Sequence, residues 1–461
     1  MIKFMERYLY FKTINGSMYV YDSETNLVFN KRRVEDINFI KSIEKYKKIK
    51  KSNVTYCAND IEKYLYRNGL KELLLEVTTS CNLRCKYCVF SGNYIENRKH
   101  GNEIMKYETA KKAIEYYLEL CEKAKSYNPY LKPMVGFYGG EPLINFNVIK
   151  KSIEYIRSNE KFKDVLLTVT TNGTLLTKEI IDFLIENNVL LVLSLDGPCS
   201  EHDRNRVYSN ENGTFNDIIE NIQYYIERKG YIFTNSVYDI KTDLNKLADF
   251  FDNNSKFISI ATAPVNENGT EYYKKFTQKD REKFSCELDI IKINFYEDLK
   301  SKNKKRAFLY NWISKDISSV LTRIPFGKNG IINYTGGCVP GDKMFVNINS
   351  EILICEKLND EFNIGNINDG LNYKKIANMI NLYNLKTKVC EECILKNCCS
   401  FCFANIGRNG EVFIDHNKCL EAINSFKDKL SMAYSALEIN DTWLAEFNSN
   451  YYKEVGKVYG K

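Results

Sequence analysis

From residue 72 onward the chain alternates short aliphatic runs with amphipathic stretches, and this rhythm restricts it to a parallel α/β arrangement. The strand-like runs are Glu72-Leu-Leu-Leu-Glu-Val-Thr, Met134-Val-Gly-Phe-Tyr, Val165-Leu-Leu-Thr-Val-Thr-Thr and Leu190-Leu-Val-Leu-Ser-Leu. Tyr231-Ile-Phe-Thr-Asn-Ser-Val and Phe257-Ile-Ser-Ile-Ala-Thr-Ala complete six. Helical spacing fills about 105–126, 147–158, 177–187, 216–228 and 243–253. Six units are too few for an eight-stranded barrel, so the expected fold is a partial (β/α)6 TIM barrel over 71–270. The first four strands close on a cysteine loop, on Gly139-Gly140, on Asn172-Gly173 and on Asp196-Gly197. Reactive groups in barrels of this kind sit at the C-terminal strand ends.

The flanks read differently. Tyr8 to Ile14, a turn at Asn15-Gly16, and Ser17 to Asp22 predict a β-hairpin. Apolar spacing predicts helices over Val34–Lys50 and Asn59–Tyr66, giving a small hairpin-plus-helices module over 1–70. A helical bridge is expected over 271–330, a cysteine-rich domain over 331–425 and a helical tail over 426–461. The first residues carry charges throughout and lack the apolar centre of a signal peptide, so a cytoplasmic location is expected. No membrane span is expected, because no stretch approaches ~18 uninterrupted apolar residues. A net charge of +7 on 461 residues does not demand a nucleic-acid partner. The densest basic run, at 45–51, reads as an exposed helix face.

Eight of the fifteen cysteines lie between Cys338 and Cys419, and three more form Cys81-Asn-Leu-Arg-Cys85-Lys-Tyr-Cys88. In a reducing compartment, clustered cysteines are more often metal ligands than disulfides. So tight a loop can turn three thiolates toward one point, and iron–sulfur clusters are held by thiolates. Placed at the end of the first strand, the Cys-x3-Cys-x2-Cys triplet resembles the signature of the radical S-adenosylmethionine (SAM) enzymes. That resemblance implies a [4Fe–4S] cluster on Cys81, Cys85 and Cys88, with one iron left for SAM. It also implies release of a 5′-deoxyadenosyl radical. Tyr87 is then placed to pack near the adenine.

Gly139-Gly140-Glu141-Pro142 is similar to the segment with which this family binds the SAM amino group. Glycines there let backbone approach a ligand closely. Ser194-Leu-Asp196-Gly197 resembles the fourth-strand motif of the peptide-modifying branch. By position the resemblance assigns Ser194 and Asp196 to the ribose and Arg206 to the SAM carboxylate. His202 and Arg204 read as loop residues. Asn172, in Thr171-Asn172-Gly173, either lines the SAM pocket or makes the turn.

The later cysteines read Cys338, Cys355, Cys390-x2-Cys393-x4-Cys398-Cys399-x2-Cys402 and Cys419. They resemble the SPASM extension, which implies two auxiliary [4Fe–4S] clusters and three in all. Ser350 stands where that pattern has glycine. Cys398 and Cys399 both fit the middle run, and Cys399 is preferred with Cys398 spare. The resemblance then implies Cys390, Cys393, Cys399 and Cys419 around one cluster. Cys338, Cys355 and Cys402 would hold the other, which is open at one iron or closed by a further cysteine such as Cys398. Paired zinc sites are the competing reading of Cys-x2-Cys. The scattered Cys57, Cys121, Cys199 and Cys286 read as buried free thiols.

The expected function is a peptide maturase that forms a thioether or other cross-link in a ribosomally made precursor. The N-terminal module resembles a leader-peptide recognition element, which adds a peptide strand to a sheet edge. Glu356 is the candidate base, and a flavodoxin or ferredoxin the expected electron donor. A sulfatase maturase forming formylglycine is the alternative enzyme. A zinc-loaded interaction protein is the alternative outside catalysis.

Overall fold

The computed structural model describes residues 7–45, 47, 54–95, 97–302, 304–322, 330–335, 337–408 and 410–449. The end of the helix expected to reach Lys50, with Tyr46 and most of the basic run, lies outside the described residues. The chain divides into two compact units. One holds Cys57–Glu287 and Pro340–Ala377; the other holds Met1–Tyr56, Leu288–Val339 and Asn378–Lys461.

In the second of these, β1 (Tyr8–Lys12) and β2 (Met18–Asp22) form the expected hairpin, with Gly16 at φ +88° in the turn. A third strand, β3 (Leu27–Asn30), pairs with β2 and was not anticipated. Asn26, at φ 59°, makes the tight return that allows it. The helix α1 (Ile37–Glu44) begins at an Asp36 cap and sets Ile43 against Val20 and Phe29.

The barrel unit opens with α2 (Ala58–Asn68), which packs against its first long helix. Six parallel strands follow: β4 (Glu72–Thr78), β5 (Met134–Gly139), β6 (Leu166–Thr171), β7 (Val189–Ser194), β8 (Ile232–Tyr238) and β9 (Phe257–Pro264). They lie in sequence order. Between them run α3 (Tyr107–Ala124), α4 (Phe146–Ser158), α5 (Lys178–Glu186), the short α6 (Cys199–His202), α7 (Phe215–Lys229) and α8 (Leu244–Asn253). Caps explain several boundaries: Thr177 and Asp243 accept first-turn N–H bonds, and Gly230 ends α7 at φ +79°. Leu73, Leu75, Val77, Leu167, Val169, Leu191 and Leu193 are fully buried, so helices cover the sheet.

The barrel sheet does not stop at β4. Strand β10 (Lys343–Val346) pairs with β4 in parallel, and β11 (Glu351–Leu353), β12 (Asn363–Asn366) and β13 (Gly370–Leu371) continue antiparallel. A stretch at the head of the cysteine-rich segment therefore covers a barrel edge that would otherwise expose unpaired backbone groups. Ser350, standing where glycine was expected, takes φ 70° in the β10–β11 turn.

The remaining helices are α9 (Gln278–Ser301), α10 (Ala307–Ser318), α11 (Tyr373–Lys386), α12 (Phe403–Ile406) and α13 (His416–Ile439), with a small ribbon β14 (Gly407–Arg408) and β15 (Glu411–Val412). In its own unit α13 lays Tyr434 on Phe11 and Tyr19, and Phe426 on Tyr21. It also covers the outer side of β1, where Ser431 donates to the Lys12 carbonyl and Ser435 accepts from Ile14 N–H.

Candidate functional site

The cysteine loop leaves β4 and is clamped by backbone. Arg84 N–H donates to Val207 O at 2.7 Å, and Lys86 N–H to Asn205 O at 3.0 Å. Cys88 N–H closes on Cys85 O at 3.0 Å. Backbone N–H groups of Leu83 and Phe90 each lie 3.4 Å from the sulfurs of Cys81 and Cys88. Burial pushes the thiols of Cys81 and Cys85 up to about 12, and the neighbouring Cys88 further disfavours ionisation of both. Only a strongly cationic centre would make thiolates the stable form here. Among the described residues no three His, Cys, Asp or Glu side chains converge tightly enough for a single ion. An iron–sulfur cubane presents its irons at separate corners and spaces its thiolates more widely than one ion does.

The Gly139-Gly140 pair lies against backbone of the cysteine loop. A Cβ on Gly139 would lie 2.1 Å from Thr78 O, and one on Gly140 2.1 Å from Ser80 O. Gly139 sits at φ +136°. Gly140 N–H donates to Thr78 O and Glu141 N–H to Ser80 O, both at 2.9 Å. These glycines thus dock the end of β5 onto the start of the cysteine loop. Glu141 is buried and already engaged: it accepts from Thr171 Oγ1 and Asn172 N at 2.7 Å and from Leu143 N at 3.1 Å. Burial raises its pKa to about 7 against those bonds. Pro142 is buried at the head of the turn that follows. Asn172 Nδ2 donates to Asn82 Oδ1 at 2.9 Å, tying the end of β6 to the cysteine loop. Asn82 and Thr171 carried no sequence signal of their own beyond lying beside motif residues.

The end of β7 builds a buried ion pair. Asp196 accepts from Arg206 Nε at 2.9 Å, from Val237 N–H at 2.9 Å and from the Tyr87 hydroxyl. Burial pulls the Arg206 pKa down, but Asp196 outweighs it and the guanidinium stays charged. It lies 5.5 Å from the Tyr87 ring centre. Arg206 spends Nε on Asp196, and its terminal nitrogens donate to no protein group among the described residues. Ser194 is half-buried at the last position of β7. His202 and Arg204 are structural: His202 Nδ1 accepts from Asp196 N at 3.2 Å, and Arg204 bonds Asp239 at 2.7 Å. Tyr272 joins that network by donating to Asp239 at 2.5 Å.

Glu356 is held in an ion pair. Its carboxylate lies 3.1 Å from Lys343 Nζ, which also reaches Glu72 at 2.9 Å. Burial would raise its pKa, but the ammonium outweighs this and holds the carboxyl below its ordinary value.

In the other unit Cys390, Cys393, Cys399 and Cys419 line one small cavity walled by Leu395, Phe401, Ile406 and Ile414. Cys398 points elsewhere, with its sulfur 3.3 Å from the Tyr21 hydroxyl. Gly337 brings Cys338 up to Cys402: a Cβ on Gly337 would lie 2.8 Å from Cys402 Cα. Cys355 lies just past β11 in the barrel unit and is half-buried. The expectation for the scattered cysteines fails for three of four. Cys121 is buried, but Cys57, Cys199 and Cys286 are exposed. Cys57 precedes α2, Cys199 donates to Asp203 at 3.2 Å in a surface turn, and Cys286 sits on an outer face of α9.

Known proteins resemble the part of the chain that carries this geometry. The radical SAM superfamily matches residues 75–252. Those residues form a radical SAM domain. The chain is similar to uncharacterized protein MJ0907 of Methanocaldococcus jannaschii, at 29% identity over 70% of this chain and 95% of that protein. It is also similar to the radical SAM cyclopropyl synthase TigE of Paramaledivibacter caminithermalis, at 30% identity over 52% of this chain but only 48% of that enzyme. A cysteine-type anaerobic sulfatase-maturating enzyme of Clostridium perfringens is 25% identical over 65% of this chain and 78% of its own length. The fold matches native anSMEcpe with bound AdoMet and Cp18Cys peptide, with a TM-score of 0.57 and 19% identity over 79% of this chain and 98% of that one. A radical SAM domain implies SAM and a [4Fe–4S] cluster as its cofactors. Its donor set fits both: three thiols on one clamped loop, a charged guanidinium with free terminal nitrogens, and a polar rim at the strand ends. No helix among the described residues is long and apolar enough to cross a membrane.

Proposed function

We propose that this radical SAM enzyme modifies a peptide, with Cys81, Cys85 and Cys88 as the three ligands of the SAM-binding cluster. The bound cluster and SAM together supply a 5′-deoxyadenosyl radical. Arg206 offers its terminal nitrogens to the SAM carboxylate while Asp196 fixes its orientation. Ser194, Asn172 and the Gly139–Pro142 turn line the remaining polar rim. Tyr87, anchored by its hydroxyl, keeps its ring beside Arg206. Glu141 acts mainly by holding the ends of β5 and β6 together.

In this reading Cys390, Cys393, Cys399 and Cys419 hold one auxiliary [4Fe–4S] cluster, supported by their shared cavity. Cys338, Cys355 and Cys402 hold a second, with Cys398 as no more than a spare. The substrate is a ribosomally made precursor peptide, and the product a thioether or other cross-link. The observation that carries this is the three-stranded N-terminal sheet. Helix α13 covers the β1 side, while the outer edge of β3 pairs with no strand among the described residues. An open edge is what a peptide strand adds to.

Formylglycine formation in a sulfatase remains the second reading, favoured by similarity to the sulfatase-maturating enzymes. Co-expression with a short neighbouring open reading frame separates the two. Loss of two hydrogens from that peptide by mass spectrometry supports cross-linking. An unmodified peptide, with conversion of a sulfatase cysteine or serine instead, supports the second.

A further inference from the structure

One cavity lies beside the cysteine loop and shares only Cys85, Tyr272 and the backbone-clamped Arg84 and Lys86 with the site described above. It measures about 410 Å³ and is lined by Arg84, Cys85, Lys86, His100, Tyr272 and Lys275, among others. Its charge is one-sided. Arg84 and Lys86 are exposed, and Arg84 Nη1 is spent on the carbonyls of Cys81 and Leu83, which leave its charge uncompensated. Lys275 is exposed and rests over the Tyr272 ring at 3.7 Å. None of these three cations makes an ion pair among the described residues. The single carboxylate on the rim, Glu271, is taken by Lys274. A cluster-ligand cysteine therefore opens onto a surface cavity ringed by unneutralised positive charge.

We propose that this cavity is the docking site of a small acidic one-electron carrier protein, which delivers the electron that SAM cleavage consumes. The inference rests on the radical SAM reading and adds to it the place and polarity of the partner. In the transfer, the carrier is oxidised by one electron and the cluster on Cys81, Cys85 and Cys88 is reduced by one. No bond forms or breaks and no proton moves in that step. Carboxylates around the carrier's redox centre face Arg84, Lys86 and Lys275, and that complementarity steers encounter and fixes orientation.

The test uses the full chain with its clusters reconstituted and a pre-reduced acidic ferredoxin as the carrier. Stopped-flow bleaching of the cluster absorbance gives the second-order rate. Lys275→Glu is expected to lower that rate about tenfold at low salt, and Lys275→Arg to preserve it. The unaltered protein supplies a mutation-free reading: its rate falls steeply as salt is raised, and Lys275→Glu flattens that slope. Deoxyadenosine formed with titanium(III) citrate, a small reductant that needs no docking surface, stays unchanged in both variants. A ferredoxin rate indifferent to both Lys275→Glu and salt overturns the proposal. So does a weakened peptide KM with an unaltered ferredoxin rate, which would make the cavity a substrate subsite. Should the unaltered protein form no deoxyadenosine even with titanium(III) citrate, the radical SAM chemistry itself fails, and this proposal with it.

Discussion

The cysteine loop of the barrel and the cysteine cavity of the other unit both gather thiols, but they gather different numbers. The barrel loop supplies three from one turn of chain, clamped by the 205–208 segment and flanked by Arg206. The cavity draws four from α13 and two turns before it and walls them with apolar side chains. Three ligands on a four-iron cluster leave a site where a substrate can bind; four leave none. Their polar surroundings differ in the same sense. Asp196, Arg206 and Glu141 crowd the three-thiol loop, whereas Leu395, Phe401, Ile406 and Ile414 line the four-thiol cavity. On the proposed reading, the polar surroundings of the first suit a zwitterion beside its cluster and the apolar walls of the second suit a sheltered cluster.

The largest effect expected from that contrast is loss of SAM cleavage. Replacing Cys81, Cys85 and Cys88 together by Ala should reduce deoxyadenosine to background while iron remains on the C-terminal cysteines. Chromatography of the nucleoside and iron analysis read the two quantities separately. Retained deoxyadenosine in that triple variant would move the reactive cluster away from the barrel.

Next in size is the iron content of the closed site. Cys399→Ala should remove roughly four irons per chain and leave deoxyadenosine formation within a few-fold of the unaltered protein. Cys398→Ala should remove none, because its sulfur faces Tyr21 instead of the cavity. If the two variants exchange behaviours, the ligand set has been drawn through the wrong cysteine.

These contrasts were only partly legible in the sequence. The six barrel strands and their motif ends were, because aliphatic runs closing on Gly, Asn or Asp leave little choice of register. The adjacent pair Cys398 and Cys399 fitted the spacing equally; the direction of each side chain, which spacing does not encode, separated them. The edge extension from β10 to β13 was hidden, since strands of two to four residues containing Asn and Gly carry almost no periodic signal. So was β3, whose four residues depend on a left-handed Asn26. What Gly139 and Gly140 approach within the protein was hidden for a related reason. A glycine announces close approach, but only the fold says that Thr78 and Ser80 are what approaches.

A pH effect tests the scaffold behind the three-thiol loop. His202 is fully buried, and because its Nδ1 accepts from Asp196 N–H, its Nε2 carries the proton and donates to Thr214 Oγ1 at 3.0 Å. Burial lowers its pKa from 6.5 to about 4, with Asp196 opposing and Arg206 assisting. A depressed histidine takes up its proton more readily when unfolded. Its contribution is fully present above pH 6.5 and is lost as pH falls toward 4. Between pH 7 and pH 5 the loss is on the order of 2 kcal/mol for the barrel unit. Urea unfolding of cluster-free protein should show it, and His202→Gln should flatten the dependence over that interval. An unchanged slope in the variant would place the acid sensitivity elsewhere.

The smallest effect concerns Glu356, where chemistry and architecture predict opposite readouts. A base is most useful with a pKa raised toward the working pH, yet Lys343 holds this carboxyl low and Arg98 bonds its backbone carbonyl at 3.0 Å. Lys343 keeps Glu72 as a second partner when Glu356 is neutralised. Glu356→Gln should therefore cost about 1 kcal/mol of stability and leave peptide turnover within twofold. Melting curves and single-turnover assays of the same preparation measure both. A tenfold loss of turnover at unchanged stability would instead mean that the Lys343 pair breaks when substrate binds, freeing the carboxylate to accept a proton.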